Sequence, residues 1–408
     1  LNFIKSFLII TFLALFIACQ PVAQRGRPVS NAPDIRVQIG EVSNLDSIRF
    51  DGDYILKAPE AQYELGASAK LYLRKDSKGY RFYNGNRLFL LRSDDQISFI
   101  SKSENALLVY HKKSYRGGLH IQTNADGTIL LINLLPLDNY LRSVVPSEIF
   151  TNRADDIEAI KAQAVCARSY ALQKMKTRPG QPFDVYGDTR DQAYNGYNVE
   201  SVLGNQAVAE TRGSVLMYDG KIAKTYFHAC DGGISEDPGD VWSGVKLPYL
   251  QVRQDVWADS FACRGAPIYR WEKTFTIDQL DSLFNQAYHV SYKDSSVKDT
   301  TRLPFEIKIM ERSASGRVKK MQVSYGNNQQ VLNGFSIRRF FGSPDGKAMP
   351  STLFRVASND SLITFTGAGF GHGVGLCQYG ALYKAEKGLK FYHILQTYYP
   401  GTNLEKIY

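Results

Sequence analysis

Tryptophan is scarce in this chain of 408 residues, which has three against 25 tyrosines and 22 phenylalanines. Tyr and Phe rings suit half-buried pleated surfaces, so the composition points to many strands. Basic runs are absent too: no five Lys or Arg stand together, although 49 Lys and Arg against 40 Asp and Glu give a formal charge of +9. That excess either favours an anionic partner or is spread over a scattered basic surface, and without a run nucleic acid is not the expected partner. The apolar run from Phe7 to Ala18 falls short of the ~20 residues that span a bilayer. There is no internal repeat and no low-complexity tract. Hydrophobic residues at 44% and charged residues at 22% are ordinary globular values, which excludes global disorder, and the length suits about two or three domains.

What stands at the N-terminus reads as a leader. Lys5 precedes the apolar run, Cys19 follows it directly, and Leu15-Phe16-Ile17-Ala18-Cys19 looks like a bacterial lipobox with an unusually bulky Phe16. The alternatives are an ordinary cleaved signal or a buried N-terminal segment; the expectation is a signal over 1–19, lipidation of Cys19 and a membrane held through the lipid. Residues 20–34, with prolines and Arg25-Gly26-Arg27, then form a tether. Export permits disulfides, and the remaining Cys166, Cys230, Cys263 and Cys377 allow three pairings. Cys230 and Cys263, both in turn-rich polar surroundings, are the favoured pair. Cys166 and Cys377 read as small buried hydrophobes rather than nucleophiles.

The text from 35 to 135 alternates as strands do, in Ile35-Arg36-Val37-Gln38-Ile39 for example, and Asn124-Ala125-Asp126-Gly127 marks a hairpin before Ile129 to Ile132. It reads as a β-rich module. The clearest helix runs from Ala154 to Lys176, where Ile157, Ile160, Ala164, Ala167, Ala171 and Met175 make one apolar stripe ended by Pro179-Gly180. Strands are expected over 214–218, 224–228, 305–311 and 317–325, and helices over 278–287, 336–342, 376–387 and 391–399. The expected class is α+β, strand-rich, with one long helix beside the site, and 136–408 as the catalytic domain.

Three blocks carry the chemistry. The first runs from Leu137 through Val144-Val145-Pro146-Ser147-Glu148-Ile149 and on through Lys161 to Arg168-Ser169-Tyr170. The second holds Asp188-Thr189-Arg190-Asp191-Gln192-Ala193-Tyr194, Glu210-Thr211-Arg212-Gly213 and His228-Ala229-Cys230-Asp231-Gly232-Gly233. The third is Gly369-Phe370-Gly371-His372-Gly373-Val374-Gly375-Leu376-Cys377-Gln378-Tyr379-Gly380, whose glycine spacing is neither a dinucleotide fingerprint nor a phosphate loop. In this order they resemble the stage II sporulation protein D family, also called SpoIID/LytB-like, over roughly residues 35 to 408.

The resemblance implies a lytic transglycosylase, a lyase that cuts peptidoglycan glycan strands at the cell envelope, with Glu148 as catalytic acid and base. One carboxyl suffices because the sugar's own C6 hydroxyl attacks, so the second carboxylate of hydrolases is not needed. Its pKa must then be raised by burial, for which Val144, Val145, Pro146 and Ile149 are available. From spacing alone Glu148 reads equally as a capping residue ahead of the helix. Lys161 and Arg168, seven apart on one helix face, match positions that matter in the family, and contact either substrate or a neighbouring carboxylate; solvated helix charges are the other reading. Asp188, Thr189, Gln192, Tyr194, His228, His372 and Gln378 are candidates for sugar contact, His372 being as well suited to a structural hydrogen bond. Some members bind zinc near the Asp-Thr pair. Here Tyr186, Gly187, Arg190 and Asp191 supply no soft ligand, and His228 with Cys230 cannot complete a tetrahedral site, so neither metal nor cofactor is expected. The rival implication is a glycan-binding enhancer of a cell-wall amidase.

Overall fold

A computed structural model of the protein describes residues 31–408 apart from 43–44, 59–60, 77–78, 85–86, 92–96, 125, 289–304, 326–327, 343–347 and 360. The predicted leader, the lipidation at Cys19 and nearly all of the tether lie outside the described residues. Among those described, no helix is long and apolar enough to cross a membrane.

The alternating N-terminal third folds as two sheets. Asp34–Val42 pairs with Val185–Tyr186 on one side and, antiparallel, with Ile129–Pro136 on the other; Gly118–Thr123, Ile97–Ser101, Tyr54–Ala58 and Ala61–Leu65 complete seven strands. Leu45–Asp51 sits inside a second sheet of six strands, next to Leu107–Tyr110 and Lys70–Asp76. Phe50 of this sheet meets Phe99 and Tyr54 of the first, with ring centroids 5.0 and 4.8 Å apart. Burial of alternate apolar side chains from both sheets is what holds the pair together. The predicted hairpin forms, with Thr123 opposite Ile129 and Gly127 at φ 78°.

The helices follow. Helix α1 (Leu137–Glu148) begins directly after Pro136 and carries Pro146 in its last turn. A 3₁₀ turn over Ala154–Asp156 leads into α2 (Ile157–Thr177), which is buried nearly all round from Ala159 to Leu172 rather than along one stripe. Its alanines permit this: α1, α3 (Val202–Glu210) and two C-terminal helices all press against it. The strand expected over 224–228 shortens to Phe227–His228, which pairs in parallel with Leu376–Cys377. Next come α4 (Pro238–Val241), α5 (Ile277–Tyr288), α6 (Phe335–Phe340), α7 (Gln378–Glu386) and α8 (Phe391–Tyr398). The strand Ser214–Tyr218 pairs with C-terminal Asn403–Lys406.

Two cores result. The larger runs from Ile35 through α1 and α2 to Tyr408. The smaller, around Leu280, Phe284, Met321, Val323, Phe341 and Phe365, belongs to residues between Arg270 and Ala368, where two three-stranded sheets pack with α5 and α6. The C-terminal region read as one domain thus contains an insertion with a core of its own.

Candidate active site

Glu148 ends α1 rather than capping the next helix, because α1 already begins at Leu137 and the turn over Ile149 to Arg153 separates it from α2. Pro146 obscures this in the sequence; near a C-terminus it costs only one helical hydrogen bond. The position favours an acid. Burial raises the Glu148 pKa above the ordinary 4.5, while the N–H of Ala193, donating to Oε1 at 2.7 Å, pulls it down less strongly. The negative end of a helix dipole adds to the upward push.

Glu148 opens onto a cleft of about 1010 Å³ whose walls come from both cores. Tyr170, Gln173, Lys174 and Thr177 line it from α2, and Thr189 and Asp191 from the following loop. Opposite stands an aromatic wall. Tyr226 stacks on Trp242 with centroids 4.3 Å apart and planes 24° apart, and His372 meets the Trp242 ring edge-on at 5.0 Å. Phe335, Arg338 and Phe370 extend the wall. Burial lowers the Arg338 pKa to about 10, and its Nε donates to the Met349 carbonyl at 2.7 Å. Asp191 is a hub, accepting from Tyr170 Oη at 2.9 Å, from Lys174 Nζ at 2.6 Å and from the Tyr186 N–H at 2.9 Å.

The glycines of the third block have a mechanical reason. Gly375 has φ 75°, and a Cβ there would lie 2.0 Å from the Tyr226 carbonyl oxygen; at Gly371, φ 108°, it would meet the His228 Cβ at 2.8 Å. Only a backbone without side chains lies so close to the 226–232 segment. His372 therefore reaches the cleft, with Nδ1 accepting from the Val374 N–H at 3.0 Å, and Gln378 bonds Gln163 of α2 at 3.4 Å. Burial drives the His372 pKa well down, so it is a neutral ring.

Other expected contacts lie elsewhere. Lys161 and Arg168 do share a face of α2, but Arg168 is two residues, hence about 200° of rotation, from Tyr170, and the pair faces away from the cleft. Lys161 bonds Glu210 at 2.6 Å and Glu158 at 3.1 Å. Arg168, with side-chain exposure of 0%, reaches Asp138 at 3.1 Å, Tyr408 Oη at 3.0 Å and the Val208 and Ser214 carbonyls. Of the two contacts expected for them, the structure gives the neighbouring carboxylate. Gln192 and Tyr194 are buried, bonded to Tyr140 and Asn133 respectively, so core packing takes them from the cleft. Asp188 forms a forked pair with Arg190 beside a separate groove of about 320 Å³. His228 lines the cleft wall with its ring almost fully buried. Cys230 and Cys263 do meet, as two free thiols rather than the expected disulfide, with Cys377 beside them.

Sequence reasoning missed Tyr226, Trp242, Asp191 and Arg338. Trp242 had a signal in the rarity of tryptophan; the others became visible only when the chain folded.

Comparison with known proteins gives concordant results. A family model described as Stage II sporulation protein matches residues 125–218, and a domain of unknown function, DUF8618, matches 257–375. An uncharacterized protein of Brachyspira hyodysenteriae is 32% identical over 281 residues, 68% of this chain and 69% of that protein. The amidase enhancer of Bacillus subtilis is 30% identical over 302 residues, 65% of this chain but 40% of that protein. Stage II sporulation protein D of Bacillus subtilis is 28% identical over 287 residues, 67% of this chain and 75% of that protein.

Proposed function

The chain belongs to the stage II sporulation protein D family, and from that premise we propose that it is a cell-wall lytic transglycosylase acting through Glu148. The observation that carries this reading is a carboxyl with a raised pKa at the edge of an aromatic-walled cleft. Aromatic faces suit the apolar faces of pyranose rings, and the cleft is long enough to be lined from two cores. In the reaction, protonated Glu148 gives its proton to the glycosidic oxygen between N-acetylmuramic acid and N-acetylglucosamine as the C1–O bond breaks. The muramic C6 hydroxyl forms the new bond to C1 and returns its proton to Glu148. Atoms and charge balance without water, and the product ends in 1,6-anhydro-muramic acid. His372 and the amide of Gln378, both on the cleft lining, would donate to or accept from sugar hydroxyls.

Likeness to the amidase enhancer supports a second reading, a glycan-binding partner of a cell-wall amidase. The two separate in one experiment, in which purified glycan strands and intact peptidoglycan are each incubated with the protein alone and with an amidase. Anhydro ends made by the protein alone establish the transglycosylase. Amidase stimulation without any anhydro product leaves the enhancer.

A further inference from the structure

Behind the aromatic wall lies a buried cluster that the proposed reaction does not use. Cys230, Cys263 and Cys377 are all buried and free, and the three thiols lie close enough to interact with one another. Asp231 Oδ1 lies 3.0 Å from Cys263 Sγ. One donor atom from each of His228, Asp231 and Cys377 falls within 4.8 Å of the others. Three sulfurs, a carboxylate and an imidazole thus converge from three places in the chain: the end of Phe227–His228, the loop at Cys263 and the start of α7.

Two of these groups carry buried polar atoms with no partner. His228 Nδ1 is within 3.1 Å of the Val374 carbonyl, to which it donates, and Nε2 is unpartnered; Asp231 Oδ2 is unpartnered as well. A buried polar atom left unsatisfied costs about 1–3 kcal/mol. A histidine whose Nδ1–H is held by a carbonyl, with Nε2 free, has the orientation that metal-ligating histidines show.

We propose that Cys230, Cys263 and Cys377, with His228 through Nε2 as fourth donor, form a closed structural site for one zinc ion. Three thiolates and one imidazole are a preferred tetrahedral donor set for zinc. Binding replaces three S–H protons with the cation and releases them to solvent, leaving a site of charge −1. The fully buried Arg317 guanidinium, donating to the Asp231 carbonyl at 2.7 Å, stands close enough to balance it. Metal binding removes the S–H that Cys263 donates to Asp231 Oδ1, so this contact is kept only with the Asp231 carboxyl protonated and donating to the thiolate. The ion would fasten the strand bearing His228 to the start of α7, and so fix the wall that presents His372 and Gln378. This revises the expectation of no metal, which considered only Tyr186 to Asp191 and His228 with Cys230. Cys263 and Cys377 are distant in sequence and join them only in the fold.

The test uses the whole chain, reduced, stripped of metal and titrated with Zn²⁺ or Co²⁺. One equivalent should bind, and the cobalt form should show thiolate-to-metal charge transfer with tetrahedral d–d bands. Cys263→Ser and Cys377→Ser should each weaken cobalt binding by more than about 100-fold, beyond the 10–100-fold typical of a lost supporting contact. Cys166→Ala should bind as the wild type does. Because the serine variants risk misfolding, the wild-type spectrum is decisive by itself. Absence of a stoichiometric thiolate–cobalt band overturns the site, as does a disulfide between any two of the three cysteines in the protein as isolated.

Discussion

Helix α2 shows two kinds of charged surface on opposite sides of one cylinder. On the cleft side, Lys174 and Tyr170 are gathered by Asp191, and all three line the cleft with Glu148. On the far side, Lys161 is held between Glu158 and Glu210, and Arg168 ties α1, α3 and Tyr408 to one another. The far side is the one that the motif comparison singled out. A residue can matter to a family because it builds the scaffold from which the acid projects, and the side of the helix decides which it does. Arg168 braces the start of α1 through Asp138, and Glu148 ends the same helix. In the proposed reaction that makes it a positioning residue.

The comparison can be broken most sharply at Glu148. Glu148→Gln should lower activity by ~10²–10⁴-fold, the usual worth of general acid–base catalysis, without destabilising the fold. The signs follow from the raised pKa. A carboxyl that folds more readily when protonated contributes stability fully below its unfolded value near 4.5, and that contribution is lost as pH rises through the folded value. Thermal denaturation should therefore find Glu148→Gln at least as stable as wild type at neutral pH, the advantage shrinking as pH falls toward 4.5. Wild-type kcat/KM should fall as pH rises through the same raised value, because the acid form is lost.

Arg168→Ala should behave in the opposite way, costing about 3 kcal/mol in denaturant unfolding, since Asp138 loses its buried partner and keeps only Arg212 at 3.5 Å and the Tyr408 hydroxyl at 2.9 Å. In the molecules that remain folded, KM should be unchanged. A selective KM defect would place Arg168 at the substrate instead. Trp242→Ala should raise KM roughly 2- to 10-fold, the equivalent of one aromatic contact of ~0.5–1.5 kcal/mol, with kcat largely kept. Smallest of all is Lys161→Ala, at about 1 kcal/mol or less, because its pairs are partly exposed and salt-screened. Activity loss at Lys161 beyond what stability explains would erase the distinction between the two faces.

Much of the fold was legible in the sequence because periodicity reports burial. The strands near Ile35 and Ile129, the long helix and the last two helices all stand within a few residues of expectation. α1 was hidden by Pro146, and the all-round burial of α2 by its alanines, which read as one stripe when only the larger residues are counted. The insertion with its own core left no composition shift. Within the site, Glu148 and His372 were legible from motifs, yet Gln192 and Tyr194 share a motif with Asp191 and point into the core. The Trp242–Tyr226 wall and the three-sulfur cluster depend on contacts between residues far apart in the chain, which no local pattern encodes.

The central claim is that Glu148 alone serves as acid and then base, with no water entering the product. Digesting purified glycan strands in ¹⁸O-water and weighing the products by mass spectrometry tests it directly. Wild type should give termini of 1,6-anhydro-muramic acid carrying no ¹⁸O, and Glu148→Gln should give almost none. Reducing-end termini labelled with ¹⁸O would overturn this and turn attention to the cleft's other carboxylates, Asp191, Glu236 and Asp240.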